Sequence, residues 1–402
     1  MILVGDFIPK DLKVRLPDEF KGKIVLANLE GPICADGLST SNKVGICLHS
    51  DVEKLSGWGV EKFAFSLANN HMMDYGDAGL RQTKETLASH GIPFAGAGDN
   101  EEEARKPMIL EENGKRIAVF CCCERQFGMA TENISGCAEK GVWLYSAIRE
   151  IKESGRADFV IVSCHAANEY SPWASPKLHD FYHSLIDAGA DCIHGHHAHV
   201  PQGYEEYKGR PIFYGLGNFV VDPSSWNSNS NQLWSTVANV TFGTDHVEWS
   251  VKPYFVEMIN GAICVSADAT DRSSLCERYL RCANRQFESL MLLEACWQEA
   301  ACRLYDRLYG VNIRTPPVRC RKLSLRERVR NSYFLLMGFW AVLCGRESPS
   351  KKSLFYAKVV YNAFNCSSHV SSISTALGVF TGAVVDLRCE VTARLAEELG
   401  VD

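Results

Sequence analysis

Histidine is concentrated in one short part of the chain. Seven of the 12 histidines lie within residues 165–199, and four of these stand between His194 and His199. Imidazole is the commonest neutral ligand for borderline metal ions, and a His-x-His pattern after a strand lets two rings converge on adjacent ions. Packing or surface histidines would explain any one of these residues but not the cluster. The segment therefore predicts a metal centre.

Further candidate ligands stand where other apolar runs end. These are Asp6, Glu30, Asn70 with His71 directly after it, and His165. A pair of divalent ions needs carboxylate charge together with neutral nitrogen or oxygen donors, with places left for water. A turn residue at Asp6 or a helix N-cap at Asn70 is the plainer interpretation of each residue alone. Together they predict a dinuclear centre.

The elements that must position these residues follow a βαβ pattern up to about residue 260. Ligands in open α/β sheets bind at the carboxyl ends of the strands, which is where the candidate residues stand. Short β-branched apolar runs predict strands over 2–4, 24–27, 63–67, 117–122, 159–164, 192–194 and 212–214. Helical spacing followed by glycine predicts helices over 77–90, 143–154 and 176–188.

The pattern of apolar residues changes after about residue 260. Strand-like runs become rare, and apolar residues at helical spacing fill 274–309. A basic stretch at 314–330 favours a solvated helix face or a partner contact over a nucleic-acid site. The apolar run at 333–344 is shorter than the roughly 20 residues of a membrane-spanning helix. We predict two units, 1–260 and a helical region 261–402.

Composition and charge narrow the class of protein. The 402 residues carry a net charge of −6, which argues against a main role in binding nucleic acid. The 17 cysteines are odd in number and irregularly spaced, which favours reduced thiols in the cytoplasm. The first residues lack a basic leader, so we expect neither a signal peptide nor a membrane anchor. Adjacent cysteines at 121–123 would point to opposite faces of a strand and cannot share one ion.

Six short motifs, in order, resemble those of the CapA family of capsule and poly-γ-glutamate synthesis proteins. The likeness covers about residues 1–260 and implies a calcineurin-like metallophosphoesterase fold. The motifs are Gly5-Asp6, Asn28-Leu29-Glu30-Gly31-Pro32, Ser66-Leu67-Ala68-Asn69-Asn70-His71 with Asp74-Tyr75-Gly76, His165 with Glu169-Tyr170, Gly195-His196-His197-Ala198-His199-Val200 with Gln202, and Tyr214-Gly215-Leu216-Gly217-Asn218-Phe219.

The resemblance implies a four-layer αββα sandwich with two divalent metal ions, which could be Mn, Fe, Zn or Mg, at the sheet edge. The metallophosphoesterase pattern Asp-x-His reads Asp6-Phe7-Ile8 here, so one histidine ligand is missing, and Glu30 replaces an aspartate. The metal ligands that the resemblance carries over are Asp6, Glu30, Asn70, His165, His197 and His199.

The same resemblance implies roles for residues beside the metals. His71 would act as acid or hydrogen-bond donor, and His196 is a reserve ligand that could also contact substrate. Glu169 is either an acid/base or a carboxylate that orients a ligand histidine. Tyr170 and Asn218 would help to bind substrate, although Asn218 and Asp74 could instead hold the loops of the site.

Three functions fit these residues. The first is a hydrolase that cleaves a phosphoester or a glutamyl or peptide-like bond. The second uses the metals as a Lewis acid while a nearby His or Glu removes an α-proton, as in an epimerase or isomerase. The third is a non-catalytic accessory protein that binds a glutamyl polymer or a partner synthase of capsule or polymer synthesis.

Overall fold

The computed structural model describes residues 1–8, 12–34, 37–41, 43, 46–50, 62–225, 231–267, 271–308 and 366–401. The basic stretch at 314–330 and the apolar run at 333–344 lie outside these residues. No helix among the residues that are described is both long enough and apolar enough to cross a membrane.

Strands dominate the first two thirds of the chain, and each strand predicted from the sequence is present, most with longer bounds, whereas the one predicted over 63–67 ends one residue earlier. Buried, β-branched segments make up most of them, as their period and composition predict. The strands are β1 Ile2–Ile8, β2 Lys13–Arg15, β3 Val25–Leu29, β4 Phe63–Ser66, β5 Phe94–Ala95, β6 Ala97–Gly98, β7 Met108–Glu112, β8 Lys115–Cys123, β9 Gly136–Cys137, β10 Phe159–His165, β11 Cys192–His196, β12 Pro201–Tyr207, β13 Arg210–Leu216, β14 Asn218–Val221, β15 Trp234–Phe242, β16 Val247–Ile259 and β17 Ala262–Ser266.

Helices lie between the strands and after them. The helices predicted near 77–90, 143–154 and 176–188 are confirmed within one residue at each end. The start of helix α4 was predictable, because Ser175 accepts a hydrogen bond from the Leu178 N–H and Pro176 occupies the first turn. The helices are α1 Gly76–Ser89, α2 Glu101–Ala104, α3 Trp143–Glu153, α4 Pro176–Asp187, α5 Asp271–Asn284, α6 Leu290–Leu308, α7 Ser367–Thr381 and α8 Glu390–Leu399.

Two large sheets form the body of the fold. One has nine strands in the order β2-β17-β16-β15-β1-β3-β4-β5, with β14 also paired to β1, and the other has six in the order β12-β13-β11-β10-β8-β7. Strands β1, β3 and β4 run parallel, as do β8, β10, β11 and β13. Each sheet therefore gathers the carboxyl ends of several parallel strands at one edge.

The packing of strand β8 shows how the layers are arranged. Cys121 and Cys123 join the apolar core that contains the nine-stranded sheet, whereas Cys122 joins a second core with Leu144 of α3 and Tyr182 of α4. The two sheets thus face each other, and α3 and α4 cover the outer face of the six-stranded sheet, while α1 joins the nine-stranded side. The predicted four-layer α/β sandwich is confirmed, with C-terminal helices added.

The C-terminal helices pack on the sheets. Strand β17 lies beyond residue 260 and pairs with β16, so the sheet extends past the boundary suggested by the sequence. Helix α5 contacts β12, and residues of α5, α6 and α8 share an apolar cluster with Trp173, Trp234 and Phe255. Buried side chains of the sandwich are therefore covered by the helices.

Candidate metal centre

The candidate ligands meet where parallel strands of both sheets end. Glu30 follows β3 directly, His165 is the last residue of β10, and His196 is the last residue of β11, in register with His165. Asp6 differs from the expectation, because β1 continues to Ile8 and Asp6 lies inside the strand. The pairing of β1 with β14 shifts its register just after Asp6. An irregularity of this kind can redirect a side chain, here that of Asp6, away from its regular position in the strand.

Two overlapping groups of side chains could each hold a cation. Asp6, Glu30 and His199 form one group, and Glu169, His197 and His199 form the other, with the ligand atoms of each group within 4.8 Å of one another. Because His199 belongs to both groups, the two positions adjoin. Carboxylate and imidazole donors of this kind suit Zn²⁺, Mn²⁺ or Fe²⁺.

Glu30 is a buried carboxylate at the middle of this group of side chains. The residue is 2% exposed, and neither carboxylate oxygen has a hydrogen-bond partner among the described residues. Burial, reinforced by the Asp6 carboxylate, raises the pKa of Glu30 to about 8. Three imidazole nitrogens surround its Oε1 atom: His199 Nε2 at 3.5 Å, His71 Nε2 at 3.9 Å and His165 Nε2 at 4.0 Å.

These separations fit a divalent cation. Metal–ligand bonds of about 2.0–2.2 Å in a tetrahedral site place neighbouring ligand atoms roughly 3.4 Å apart. A buried carboxylate without a hydrogen-bond donor is costly, and a cation among the Glu30, His199 and His165 side chains removes that cost.

His199 is held in place by two oxygen atoms. Its Nδ1 atom lies 3.2 Å from Asp6 Oδ2 and 3.0 Å from Asn218 Oδ1, so Nδ1 is the donor and Nε2 faces Glu30. Burial lowers the pKa of His199, but the Glu30 and Asp6 carboxylates outweigh it and raise the pKa to about 10. Asn218 thus orients the His199 ring, and a direct contact with substrate stays a prediction.

An amide network fixes His165. The ring lies between Asn70 Oδ1, 3.0 Å from Nε2, and Asn28 Nδ2, 3.2 Å from Nδ1. Asn28 also donates to Asp6 Oδ1 at 2.9 Å. Burial and the neighbouring His197 hold the pKa of His165 well below its usual range, so its ring is neutral, with Nδ1 accepting from Asn28 and Nε2 donating to Asn70.

His197 contacts residues that the motifs did not bring forward. Its Nε2 atom lies 2.7 Å from Gln126 Nε2 and 3.6 Å from the buried Glu124 Oε1, while Nδ1 has no hydrogen-bond partner among the described residues. Burial raises the pKa of Glu124, but hydrogen bonding to His197 outweighs it and leaves the pKa lowered. Glu124 follows β8 directly, so its position after a strand was the signal available in the sequence.

His196 and His194 have different surroundings. His196 Nδ1 lies 3.6 Å from Asp6 Oδ1, which keeps it in reach of the centre, and burial lowers its pKa to about 4. Its Nε2 atom contacts the Ser163 hydroxyl at 3.1 Å. His194 Nε2 instead donates to the Val4 carbonyl at 2.7 Å in the core. His194 is therefore a packing residue.

His71 stands at the rim of the centre. Its Nδ1 atom contacts Asp74 Oδ2 at 2.8 Å, which directs Nε2 toward Glu30. Lys43 forms an ion pair with Asp74 and donates to the Asn70 carbonyl at 3.1 Å. Burial lowers the pKa of His71, and the hydrogen bond to Asp74 opposes this only in part. Asp74 acts here as a positioning residue.

Glu169 and Tyr170 lie on the other side of His199. Burial raises the pKa of Glu169, but His197 and His199 outweigh it and leave the pKa lowered. The Tyr170 ring is 5.8 Å from the His199 ring, and the residue is 40% exposed, which suits the mouth of a site. Helix α7 adds His369, which interacts electrostatically with Glu169 and which no motif indicated.

The backbone is strained at three residues of the site. His197, His199 and Tyr170 have φ angles of 88°, 57° and 63°, in the left-handed region that favours glycine. Strain of this kind costs about 1–3 kcal/mol per residue and concentrates where side chains must be aimed at a ligand. The loop after β11 therefore aims its imidazoles at a cost in stability.

Residues 17–223, just over half of the chain, match the family described as bacterial capsule synthesis protein PGA_cap. The chain belongs to this family.

Two relatives are about equally similar. A capsule biosynthesis protein CapA of Bacillus anthracis is 32% identical over 49% of this chain and 50% of its own length. A probable polyglutamine synthesis accessory protein of Mycobacterium tuberculosis is 32% identical over 55% of this chain and 63% of its own length. The chain thus matches between half and two thirds of each relative.

Solved structures give a weaker likeness. A phosphatase of Mycoplasma pneumoniae aligns with 63% of this chain and 92% of its own, at 14% sequence identity and a TM-score of 0.36. A similarity of this size says nothing about activity.

Proposed function

We propose that this chain is a metal-dependent hydrolase with a dinuclear divalent metal centre. The observation that carries the proposal is Glu30, a buried carboxylate with no hydrogen-bond donor among the described residues, ringed by imidazole nitrogens at 3.5–4.0 Å. No packing role explains such an arrangement, because an uncompensated buried carboxylate destabilises a fold.

The residues that would hold the two cations are Asp6, Glu30, Asn70, His165, His197 and His199. When bound, a divalent pair supplies Lewis-acid polarisation of a carbonyl or phosphoryl group and activates water near neutral pH. Asn28, Asn218 and Glu124 fix the orientation of these ligands through the contacts described above.

The proton chemistry falls to His71. With Asp74 at its Nδ1 atom, the Nε2 atom faces the centre, and in the protonated ring it can give a proton to a leaving group or donate a hydrogen bond to a developing oxyanion. Glu169, on the opposite side of His199, either exchanges a proton with substrate or orients His197 and His199.

The family supports a proposal for the substrate class. Relatives named for capsule and polyglutamine synthesis support a glutamyl or peptide-like substrate, and the metal ligands equally suit a phosphoester. We propose that the chain acts in capsule or poly-γ-glutamate synthesis, in the cytoplasm, beside a polymer-synthesis partner. The word accessory in one relative's name supports a non-catalytic role as the competing proposal.

An activity screen with a matched variant tests the proposal. The full chain is loaded with Mn²⁺, Zn²⁺ or Fe²⁺ and assayed on phosphoesters, on γ-glutamyl amides and on peptides whose α-carbon can epimerise. We expect hydrolysis of one of the first two classes, lost in Glu30→Gln, which keeps the shape of the side chain but removes its charge. Epimerisation without hydrolysis would support proton abstraction instead. Inactivity on all three classes with metal bound would favour the accessory role.

A further inference from the structure

A second group of histidines lies outside the centre described above. His179 and His183 are one helical turn apart on α4, so both rings project from the same face of the helix. Their centroids are 3.9 Å apart. Glu205 of strand β12 faces them, and the ligand atoms of all three residues lie within 4.8 Å of one another.

The hydrogen bonds around Glu205 leave the Nε2 atom of His179 in an unfavourable position. Glu205 Oε1 accepts from the Tyr214 hydroxyl at 2.7 Å and lies 2.7 Å from His183 Nε2. His179 Nε2 faces the same oxygen at 3.7 Å, while its Nδ1 atom lies 3.0 Å from Asp180 Oδ1. When Nδ1 donates to Asp180, the lone pair of Nε2 points at a carboxylate.

A cation between His179 Nε2 and the Glu205 carboxylate would remove the repulsion between them. A carboxylate that accepts from one ring nitrogen of a histidine leaves the other nitrogen as a metal ligand, and Asp180 and His179 have this relationship. Two histidines at i and i+4 on a helix, with a carboxylate from another element, form a donor set typical of zinc. We propose that His179, His183 and Glu205 form a second, separate site for a zinc-like divalent ion.

The surroundings define what such an ion would do. The side chains of His179, His183 and Glu205 are 8%, 20% and 17% exposed, and three protein ligands would leave the fourth position of a tetrahedral ion for water. Tyr207 stacks on His183, with ring centroids 3.8 Å apart, so the Tyr207 ring covers one side of the site. The ion would join α4 to β12, the two elements that precede and follow the segment containing His194–His199. By joining them, the ion would stiffen the frame of that loop.

Counting metal equivalents in matched variants tests this site. Metal-free full chain is equilibrated with Zn²⁺, and in parallel with Co²⁺ as a spectroscopic probe of tetrahedral coordination. Glu205→Gln keeps an oxygen that can accept from Tyr214 but removes the charge, and His183→Ala removes one imidazole from a partly exposed helix position. His246→Ala, at an exposed histidine elsewhere, is the control. We expect the first two variants to bind one equivalent less than the wild type and the control to bind the same.

The same count is repeated in a chain carrying His197→Ala and His199→Ala, so the result does not depend on the proposed function. One equivalent should remain there and disappear when Glu205→Gln is added, together with the tetrahedral Co²⁺ absorption. Circular dichroism checks that each variant is folded. If Glu205→Gln does not fold, the metal count of His183→Ala alone tests the second site. Unchanged capacity in the folded variants, or binding only at millimolar zinc, would overturn the proposal.

Discussion

Glu30 sets the chemical character of the centre at the scale of single residues. Burial and the Asp6 carboxylate raise the pKa of Glu30 to about 8, whereas the Glu30 and Asp6 carboxylates raise the pKa of His199 to about 10 against the opposing effect of burial. Metal ligands must lose their protons to bind, so metal uptake here releases protons and becomes more favourable as the pH rises.

The role of His71 gives a prediction that separates catalysis from metal binding. His71→Asn removes the imidazole whose Nε2 atom faces Glu30 but leaves the metal ligands in place. We expect the variant to keep its metal and to lose about 10²–10⁴-fold in turnover, the size of a general acid contribution. Metal analysis and a rate assay on the same sample measure both quantities. Wild-type turnover with metal bound would remove His71 from the mechanism.

His194 predicts a pH dependence of stability. Burial holds its pKa well below 6.5, so under acid the unfolded chain binds a proton that the folded chain does not. The free energy of unfolding should therefore fall by up to about 1.4 kcal/mol per pH unit below the unfolded pKa. His194→Gln can still donate to Val4 and should flatten this slope in urea unfolding of the metal-free chain. An identical slope in both proteins would contradict the assignment.

The elements show what the sequence could and could not predict. Helix α4 and the strands that carry His165 and His196 were predictable, because apolar period, a Ser-Pro start and a following glycine all agree there. The position of Asp6 inside β1 was not, because it depends on an irregular pairing with β14. Glu124 was missed although it follows β8 directly, and His369 was missed because its place in the site comes from tertiary packing, which leaves no local pattern.

The pairing of β1 with β14 predicts a large effect of one methyl group. A Cβ atom at Gly5 would lie 1.7 Å from the Gly217 carbonyl oxygen, on backbone that cannot rotate away. Gly5→Ala should therefore destabilise the fold by more than the about 1–3 kcal/mol of ordinary overpacking, and should lower metal content because Asp6 and Asn218 move. At Gly141 the added atom would meet only Trp143, at 3.6 Å, so Gly141→Ala is the control for urea unfolding. Equal stability of the two variants would contradict this geometry.

The whole molecule includes the C-terminal helices as more than an appended unit. The sequence predicts a separately packed helical region, which stays a prediction, but buried hydrogen bonds join it to the sandwich. The fully buried Gln286 side chain donates to the Gln202 carbonyl at 2.9 Å and accepts from the Ala174 N–H at 2.8 Å. The change from strand to helix was readable in the sequence, but these long-range contacts were not.

Replacing Gln286 tests that connection. Gln286→Ala leaves the Ala174 N–H and the Gln202 carbonyl without their partner, at a cost of about 1–3 kcal/mol for each buried group. The neighbouring Arg285 is exposed, and Arg285→Ala should cost at most about 1 kcal/mol. Unfolding free energies of the two variants measure the difference. Similar values for both would show that the helices contribute little to the stability of the sandwich.

Metal content of the full chain tests the central claim, a divalent metal centre around Glu30, most directly. A chain carrying Glu205→Gln alone and a chain carrying Glu205→Gln with His197→Ala and His199→Ala are compared by elemental analysis after equilibration with the same ion, so that only this centre is counted. We predict up to two equivalents per chain in the first protein and loss of most of that metal in the second, while circular dichroism shows both folded. Full metal content in the second protein would contradict the account.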